Sequence, residues 1–193
     1  MKQNVDIITM SFGLSEWDSQ VNNAIQEAIK HAVLFAAASN GGGNGCRTFP
    51  ATHSGVFCIH ASDGNGNDYG GMNPSTESFS DSWTTLGVAI SFDDQSVYKS
   101  GTSYATPIAA GTIANVFDYL NYLQEQGKLP DQKYRHLRSS DGVGRILWHM
   151  SKERQGFRYV APWNLWDCLC EDSEENVGQS QEYVRLKLLK ETR

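Results

Sequence analysis

The stretch SGTSYATPIAAG, from Ser100 to Gly111, sets hydroxyl-bearing residues directly before Pro107 and a run of small residues. It opens a segment with helical apolar periodicity, which predicts a helix from about Ser103 to Gln126 with Pro107 in its first turn. A serine at such a helix start is commonly a cap. Alternatively it is a nucleophile, because the unpaired N–H groups and the dipole of a helix N-terminus stabilise developing negative charge.

The first forty residues predict a strand, a helix and a second strand. Val5–Met10 and Val33–Ala38 are short apolar runs, and between them apolar residues recur at helical spacing from Trp17 to Ala32, with a cap near Ser15. A βαβ unit of this length requires parallel strands, and open parallel sheets carry their chemistry at the carboxyl ends of the strands. The residues that follow those ends are Ser11, Phe12, Gly13, Ser39 and Asn40.

Further strands are predicted at Val56–Ala61 and Leu86–Ile90, and a further helix at about Gly144–Met150. Strands that alternate with helices indicate an α/β fold with a parallel sheet. The 193 residues suffice for one domain with a sizeable core.

Composition excludes several classes of partner. The net charge is -6 with no basic stripe, which argues against nucleic acid. No apolar run reaches the roughly 18 residues of a membrane span, so no membrane partner is expected. The N-terminus lacks the pattern of a signal peptide, which favours an intracellular location. The four cysteines fit no zinc spacing, and reduced thiols are favoured over a Cys46–Cys58 disulfide.

Ligand-binding motifs are incomplete. The glycine-rich segment Gly41–Gly45 is followed neither by a helix start nor by Lys-Ser/Thr, so nucleotide binding is disfavoured. Residues 63–74 begin like a calcium loop but lack its Gly at position six and its Glu at position twelve. None of the five histidines has a metal-ligand spacing. We therefore expect no metal and no cofactor.

Ser103 also lies in a near match to Gly-x-Ser-x-Gly, the nucleophile elbow of α/β-hydrolases. That motif follows an apolar strand, whereas residues 95–99 are polar, and Ala105 stands where the motif has its second Gly. An esterase is therefore an alternative. It would place His136 or His149 beside Ser103.

Four segments in the correct order resemble the subtilisin-like serine peptidases, the subtilase or S8 peptidase family. SGTSYATPIAAG resembles the signature around the catalytic serine, and FAAASN (35–40) resembles the strand that delivers the oxyanion-hole asparagine, with Ser39 where the family usually has Gly. DIITMSFG (6–13) resembles the strand lining the substrate cleft, and FPATHSGVFCIHASD (49–63) the segment after the oxyanion strand. The later GFRYVAPWNLW is similar to the closing segment of intracellular fungal members.

The resemblance implies a subtilisin-like three-layer fold and a serine endopeptidase that cleaves polypeptides by acyl transfer. Ser103 would be the nucleophile, and the Asn40 side chain would hold the oxyanion together with the Ser103 N–H. The residues that would flank the bound polypeptide are Ser11, Phe12, Gly13, Ala37, Ala38 and Ser39.

The family's catalytic aspartate and histidine precede these segments, in an Asp-x-Gly-like strand end and a His-Gly-Thr helix. No histidine here is followed by Gly-Thr, and Asp6 lies inside a strand, where it does not match the aspartate. We therefore interpret residues 1–167 as a peptidase domain truncated on its N-terminal side, and residues 168–193 as a polar tail expected to be disordered. Such a chain would be inactive alone and would need a complementary N-terminal segment, or it would be a non-catalytic remnant that binds extended peptides.

Overall fold

The computed structural model describes residues 4–68, 70–75, 82–91, 97–166 and 184–190. The strands are β1 (Ile7–Met10), β2 (Val33–Ala37), β3 (Val56–Ser62), β4 (Trp83–Leu86), β5 (Ile90–Ser91), β6 (Tyr98–Lys99), β7 (Ser151–Arg154) and β8 (Phe157–Val160). The helices are α1 (Ser19–Ala28), α2 (Thr102–Glu125), α3 (Asp131–Leu137), α4 (Ser140–Met150), α5 (Trp163–Trp166) and α6 (184–190).

Six strands form one sheet in the order β1-β2-β3-β4-β8-β7. Every neighbouring pair from β1 to β8 is parallel, and β7 pairs with β8 in the antiparallel sense. The predicted α/β fold with a parallel sheet is therefore confirmed. β1 lies at one edge of this sheet, and the short antiparallel pair β5–β6 leads directly into α2.

The sheet is covered on both faces, because successive side chains of a strand point to opposite sides. Along β2, Val33 and Phe35 belong to an apolar cluster with the inner faces of α2 and α4. Leu34 and Ala36 belong to a second cluster, which includes Ile25 of α1. Helix, sheet and helix form three layers, and the carboxyl ends of β1 and β2 lie at one end of the sheet, because the two strands are parallel and in register.

The first helix starts later than the sequence predicts. Asp18 is the N-cap of α1, and its Oδ1 accepts hydrogen bonds from the N–H groups of Gln20 and Val21, both at 2.9 Å. The predicted cap near Ser15 is wrong, and Trp17 is 65% exposed instead of contributing to the apolar face. An aspartate directly before the helix satisfies two otherwise unpaired N–H groups, which a serine three residues earlier does not reach.

The predicted strand at Leu86–Ile90 is also wrong, since β4 runs from Trp83 to Leu86. Gly87 follows it, and a Cβ at this position would lie 2.8 Å from Cβ of Ala61 and 2.9 Å from Cβ of Ala105. The chain passes too close to β3 and α2 here for a side chain. Apolar residues after Gly87 therefore mark a turn towards β5.

Part of the predicted polar tail is helical and packed. In α6, Val184 and Leu188 are buried in the same apolar cluster as α2. Lys187 Nζ donates to the Asn164 carbonyl at 2.7 Å. Cys168 and Cys170 lie outside the described residues. The predicted domain boundary at residue 167 also lies there and stays a prediction. Across the described part of the chain, no helix combines the length and apolarity that a bilayer crossing requires.

Candidate active site

Ser103 lies in the first turn of α2 and contacts the end of the edge strand. Its Oγ donates to the Ser11 carbonyl at 3.3 Å, and the Ser11 Oγ donates in return to the Ser103 carbonyl at 2.9 Å. Ser11 directly follows β1. This reciprocal pair therefore fixes the start of α2 against the carboxyl end of β1.

Pro107 explains why the Ser103 carbonyl is available to Ser11. Helix α2 begins at Thr102, so Pro107 is its sixth residue and lies in the second turn, and the predicted first-turn position is wrong. An ordinary residue there would donate its N–H to the carbonyl four residues earlier, which is that of Ser103. Proline has no N–H, and the Ser11 hydroxyl replaces the missing donor.

Asn40, which follows the carboxyl end of β2, also lies next to the start of α2, and two hydrogen bonds orient its side chain. Oδ1 accepts from the Thr102 N–H at 2.9 Å and from Thr102 Oγ1 at 3.1 Å. With Oδ1 engaged, Nδ2 is the end of the amide that can donate to a ligand. A Cβ at Gly101 would lie 3.3 Å from Nδ2, so the glycine keeps the space beside this donor open.

These groups surround one cavity of about 250 Å³. Its lining residues are Ser11, Phe12, Gly13, Ala37, Ser39, Asn40, Thr48, Thr102 and Ser103. The structure thus brings together every residue predicted for the site except Ala38. That residue is completely buried; its N–H donates to the Ile59 carbonyl and its own carbonyl accepts from the Thr48 N–H, both at 2.9 Å.

Two lining residues escape the sequence analysis. Thr102 directly precedes Ser103 in the quoted signature, so the sequence does show that it lies near the proposed nucleophile. Its hydrogen bonds to Asn40 are not predictable from the sequence, because the two residues are 62 positions apart. Thr48 lies in a loop between recognisable segments. Its role depends on the approach of Gly13, 35 positions earlier, and no local pattern signals it.

All five histidines lie within the described residues, and none lines this cavity. His136 Nε2 lies 3.7 Å from Asp141, and His149 lines a separate cavity of about 540 Å³ next to the first residues of β3 and β4. The arrangement that an esterase elbow requires, His136 or His149 beside Ser103, is therefore not formed. Asp6 forms an ion pair with Arg138 at 2.7 Å, at the opposite end of β1 from Ser11.

His60 is the histidine with the most perturbed environment, and it is structural. It is completely buried in β3, and its Nδ1 lies 3.2 Å from the Trp83 carbonyl, to which it donates. Burial, and then the positive charge of Arg47, lower the pKa of His60 to about 3. The ring therefore stays neutral at physiological pH. Within the described ranges, no three acidic, histidine or cysteine side chains are grouped so that they could hold a metal ion.

The sequence model of the Subtilase family matches residues 1–138, which is more than two thirds of the chain. The chain belongs to the subtilase family. This subtilase chain is similar to a thermostable alkaline protease of Halalkalibacterium halodurans, with 29% identity over 162 residues that cover 80% of the chain and 44% of that protein.

Two solved structures share the fold of the subtilase chain at a TM-score of 0.61 each. A mutant of the protease domain of PatA is 21% identical and is matched over 82% of this chain and 57% of its own length. The prenylagaramide maturation protease PagA is 22% identical, with 93% of this chain and 62% of its own length covered. The chain thus spans less than half of the curated relative and about three fifths of the solved structures. The expected subtilisin-like fold is confirmed.

Proposed function

We propose that this chain carries the nucleophile and the oxyanion donors of a serine endopeptidase. The observation that carries the proposal is the convergence of the Ser103 hydroxyl and the oriented Asn40 amide on one cavity. Membership of the subtilase family and the similarity to an alkaline protease support it.

The chemistry follows from these positions. Ser103 Oγ attacks the carbonyl carbon of a polypeptide that lies along residues 11–13 and 37–39. The oxygen of that carbonyl gains negative charge, and Asn40 Nδ2 and the Ser103 N–H donate to it. Collapse of the intermediate breaks the C–N bond, the amine leaves with a proton, and water later releases the acyl group from Ser103.

A base must take the proton from Ser103, and we propose that it comes from a complementary polypeptide segment. β1 is an edge strand, so its outer side can pair with one more parallel strand. The carboxyl end of that strand would lie beside Ser11 and Ser103, which is where a histidine and its aspartate are needed. Without the base, turnover in subtilisin falls about a millionfold, which corresponds to roughly 8 kcal/mol.

A second candidate is a module that binds extended peptides without cleaving them. The observation in its favour is that none of the five histidines lines the cavity. The two candidates differ in one measurable property, the activation of the Ser103 hydroxyl.

Chemical rescue separates them. The intact chain is treated with a fluorophosphonate, with and without imidazole, and the modified serine is located by mass spectrometry. Imidazole takes the proton of Ser103, Oγ bonds to phosphorus and fluoride leaves. We expect labelling of Ser103 that rises with imidazole concentration. Asn40→Asp keeps the acceptor for Thr102 but removes the donor, and should slow labelling by about 10² to 10³.

The matched control is Asn44→Asp, which makes the same chemical change at an exposed position. It should leave the rate unchanged. Labelling that ignores imidazole, or that proceeds equally in Asn40→Asp and Asn44→Asp, would contradict the peptidase proposal. Peptide binding without such labelling would establish the second candidate.

A further inference from the structure

We propose that Thr48 limits the side chain that the cavity accepts, so that the site takes polypeptides with Gly, Ala or Ser before the scissile bond. This inference rests on the proposed function and names its substrate class. Neither the signature motifs nor the comparisons point to Thr48.

Thr48 lies between the two segments that form the cavity walls. Its N–H and its Oγ1 both donate to the Ala38 carbonyl, at 2.9 and 3.2 Å, which fixes it to the end of β2. The next residue, Phe49, exchanges backbone hydrogen bonds of 2.7 and 3.1 Å with Leu14, just beyond the end of β1. The loop therefore bridges both walls, and the Thr48 side chain cannot swing away without breaking its bond to Ala38.

The opposite wall touches Thr48 directly. A Cβ at Gly13 would lie 2.0 Å from Thr48 Oγ1 and 2.6 Å from its Cβ, so a glycine is the residue that fits against it. The Thr48 side chain thus fills the space between the walls where a substrate side chain would otherwise extend.

The cavity volume agrees with a small side chain. The cavity measures about 250 Å³, whereas sites for drug-sized ligands span roughly 300 to 1,000 Å³. None of the described residues that line the cavity is charged. A long cation would find no counter-charge, and an aromatic ring would collide with Thr48.

The hydroxyl groups of the cavity are already engaged. Ser11 Oγ donates to the Ser103 carbonyl, Thr48 Oγ1 donates to the Ala38 carbonyl, and Ser39 Oγ accepts from the Gly41 N–H at 3.0 Å. Ser39 keeps its own O–H donor, and Asn40 Nδ2 is left for the carbonyl oxygen of the substrate, so the pocket accommodates a small hydroxyl side chain without requiring one. Size is therefore the property that this pocket selects.

The test compares peptidyl phosphonate diphenyl esters that end in the analogue of Ala, Val or Phe, using the intact chain with imidazole. Ser103 Oγ bonds to phosphorus, phenoxide leaves, and imidazole takes the proton. We expect labelling with the Ala analogue to exceed that with the Phe analogue by about 10- to 200-fold. Thr48→Gly should reduce this ratio at least about tenfold by accelerating the Phe analogue.

Thr48→Ser retains the hydroxyl that bonds to Ala38 and removes a methyl group, so it should give an intermediate ratio even if the glycine variant folds poorly. Thr52→Gly, in the exposed part of the same loop, is the matched control and should keep the original ratio. Equal labelling by all three analogues, or an unchanged ratio in both Thr48 variants, would overturn the inference while leaving the peptidase proposal intact. Failure of every phosphonate and of the fluorophosphonate would defeat both.

Discussion

Replacement of His60 by phenylalanine should remove a large part of the acid sensitivity of this fold. The imidazole has a pKa of about 3 in the native protein and 6.5 in the unfolded chain. Between these values the unfolded chain binds a proton that the native state does not. Stability therefore falls as the pH decreases from about 6.5 to about 3, and the loss is complete only below the native pKa.

The difference of pKa corresponds to about 5 kcal/mol at full extent. At about pH 5 the unfolded histidine is almost fully protonated, which favours unfolding by about 2 kcal/mol relative to about pH 7.5. Phenylalanine is a suitable apolar replacement, because it keeps a planar ring next to that of Phe157, whose centroid lies 5.0 Å from the His60 ring, and because His60 Nε2 has no hydrogen-bond partner among the described residues. The substitution loses one hydrogen bond to Trp83, which costs about 1 kcal/mol.

Urea titrations from about pH 7.5 to about pH 5 measure this effect as the free energy of unfolding. Wild type should lose about 2 kcal/mol more than His60→Phe over this interval. Leu186→Ala changes a side chain that does not titrate and is 46% exposed, and should retain the wild-type slope. Parallel pH dependence in wild type and His60→Phe would show that burial of this imidazole does not govern the acid response.

Three further substitutions test the packing described above. Gly13→Ala should lower the free energy of unfolding by about 1 to 3 kcal/mol, because the new methyl group clashes with Thr48. Thr48→Gly in the same chain should recover most of that loss. If the two effects are simply additive in a double-mutant cycle, the contact is refuted. Leu120→Ala truncates a completely buried side chain and should lower the free energy of unfolding by about 2 to 5 kcal/mol, measured by thermal melts. Leu186→Ala, at a side chain that is 46% exposed, should lower it far less. Asp18→Ala should lower the free energy of unfolding by about 0.5 to 2 kcal/mol through loss of the α1 cap, and an unchanged urea midpoint would contradict that role.

Elements with strong periodicity were predictable from the sequence. β2 and α2 begin and end within one residue of their predicted limits, because continuous apolar runs and helical spacing record burial directly. α3 was not predicted, since DQKYRHL (131–137) buries a single residue, Leu137, and has no apolar stripe. β7 and β8 also went unpredicted. Their pairing depends on a sharp turn at Gln155 and Gly156, both at positive φ.

Residues of the candidate site could be predicted when they belong to a continuous sequence motif. They could not be predicted when only the folded structure brings them next to the other site residues. Asn40 and Ser103 each follow a recognisable element, and the structure joins them through Thr102. Thr48 has no such context. The sequence also does not reveal that the Ser103 carbonyl, which receives no hydrogen bond from Pro107, accepts one from the Ser11 hydroxyl instead. This bond forms only because the end of β1 lies against the start of α2.

The hydrogen bonds that shape the cavity join residues 62 and 92 positions apart in the chain. Residue 103 must therefore have left the ribosome, and β1, β2 and α2 must have packed together, before the Ser103 hydroxyl and the Asn40 amide can face the same cavity. A nascent or partly unfolded chain holds these groups far from one another. The proposed pairing of a nucleophile with an oxyanion donor therefore exists only in the folded chain, in which β1, β2 and α2 are packed together.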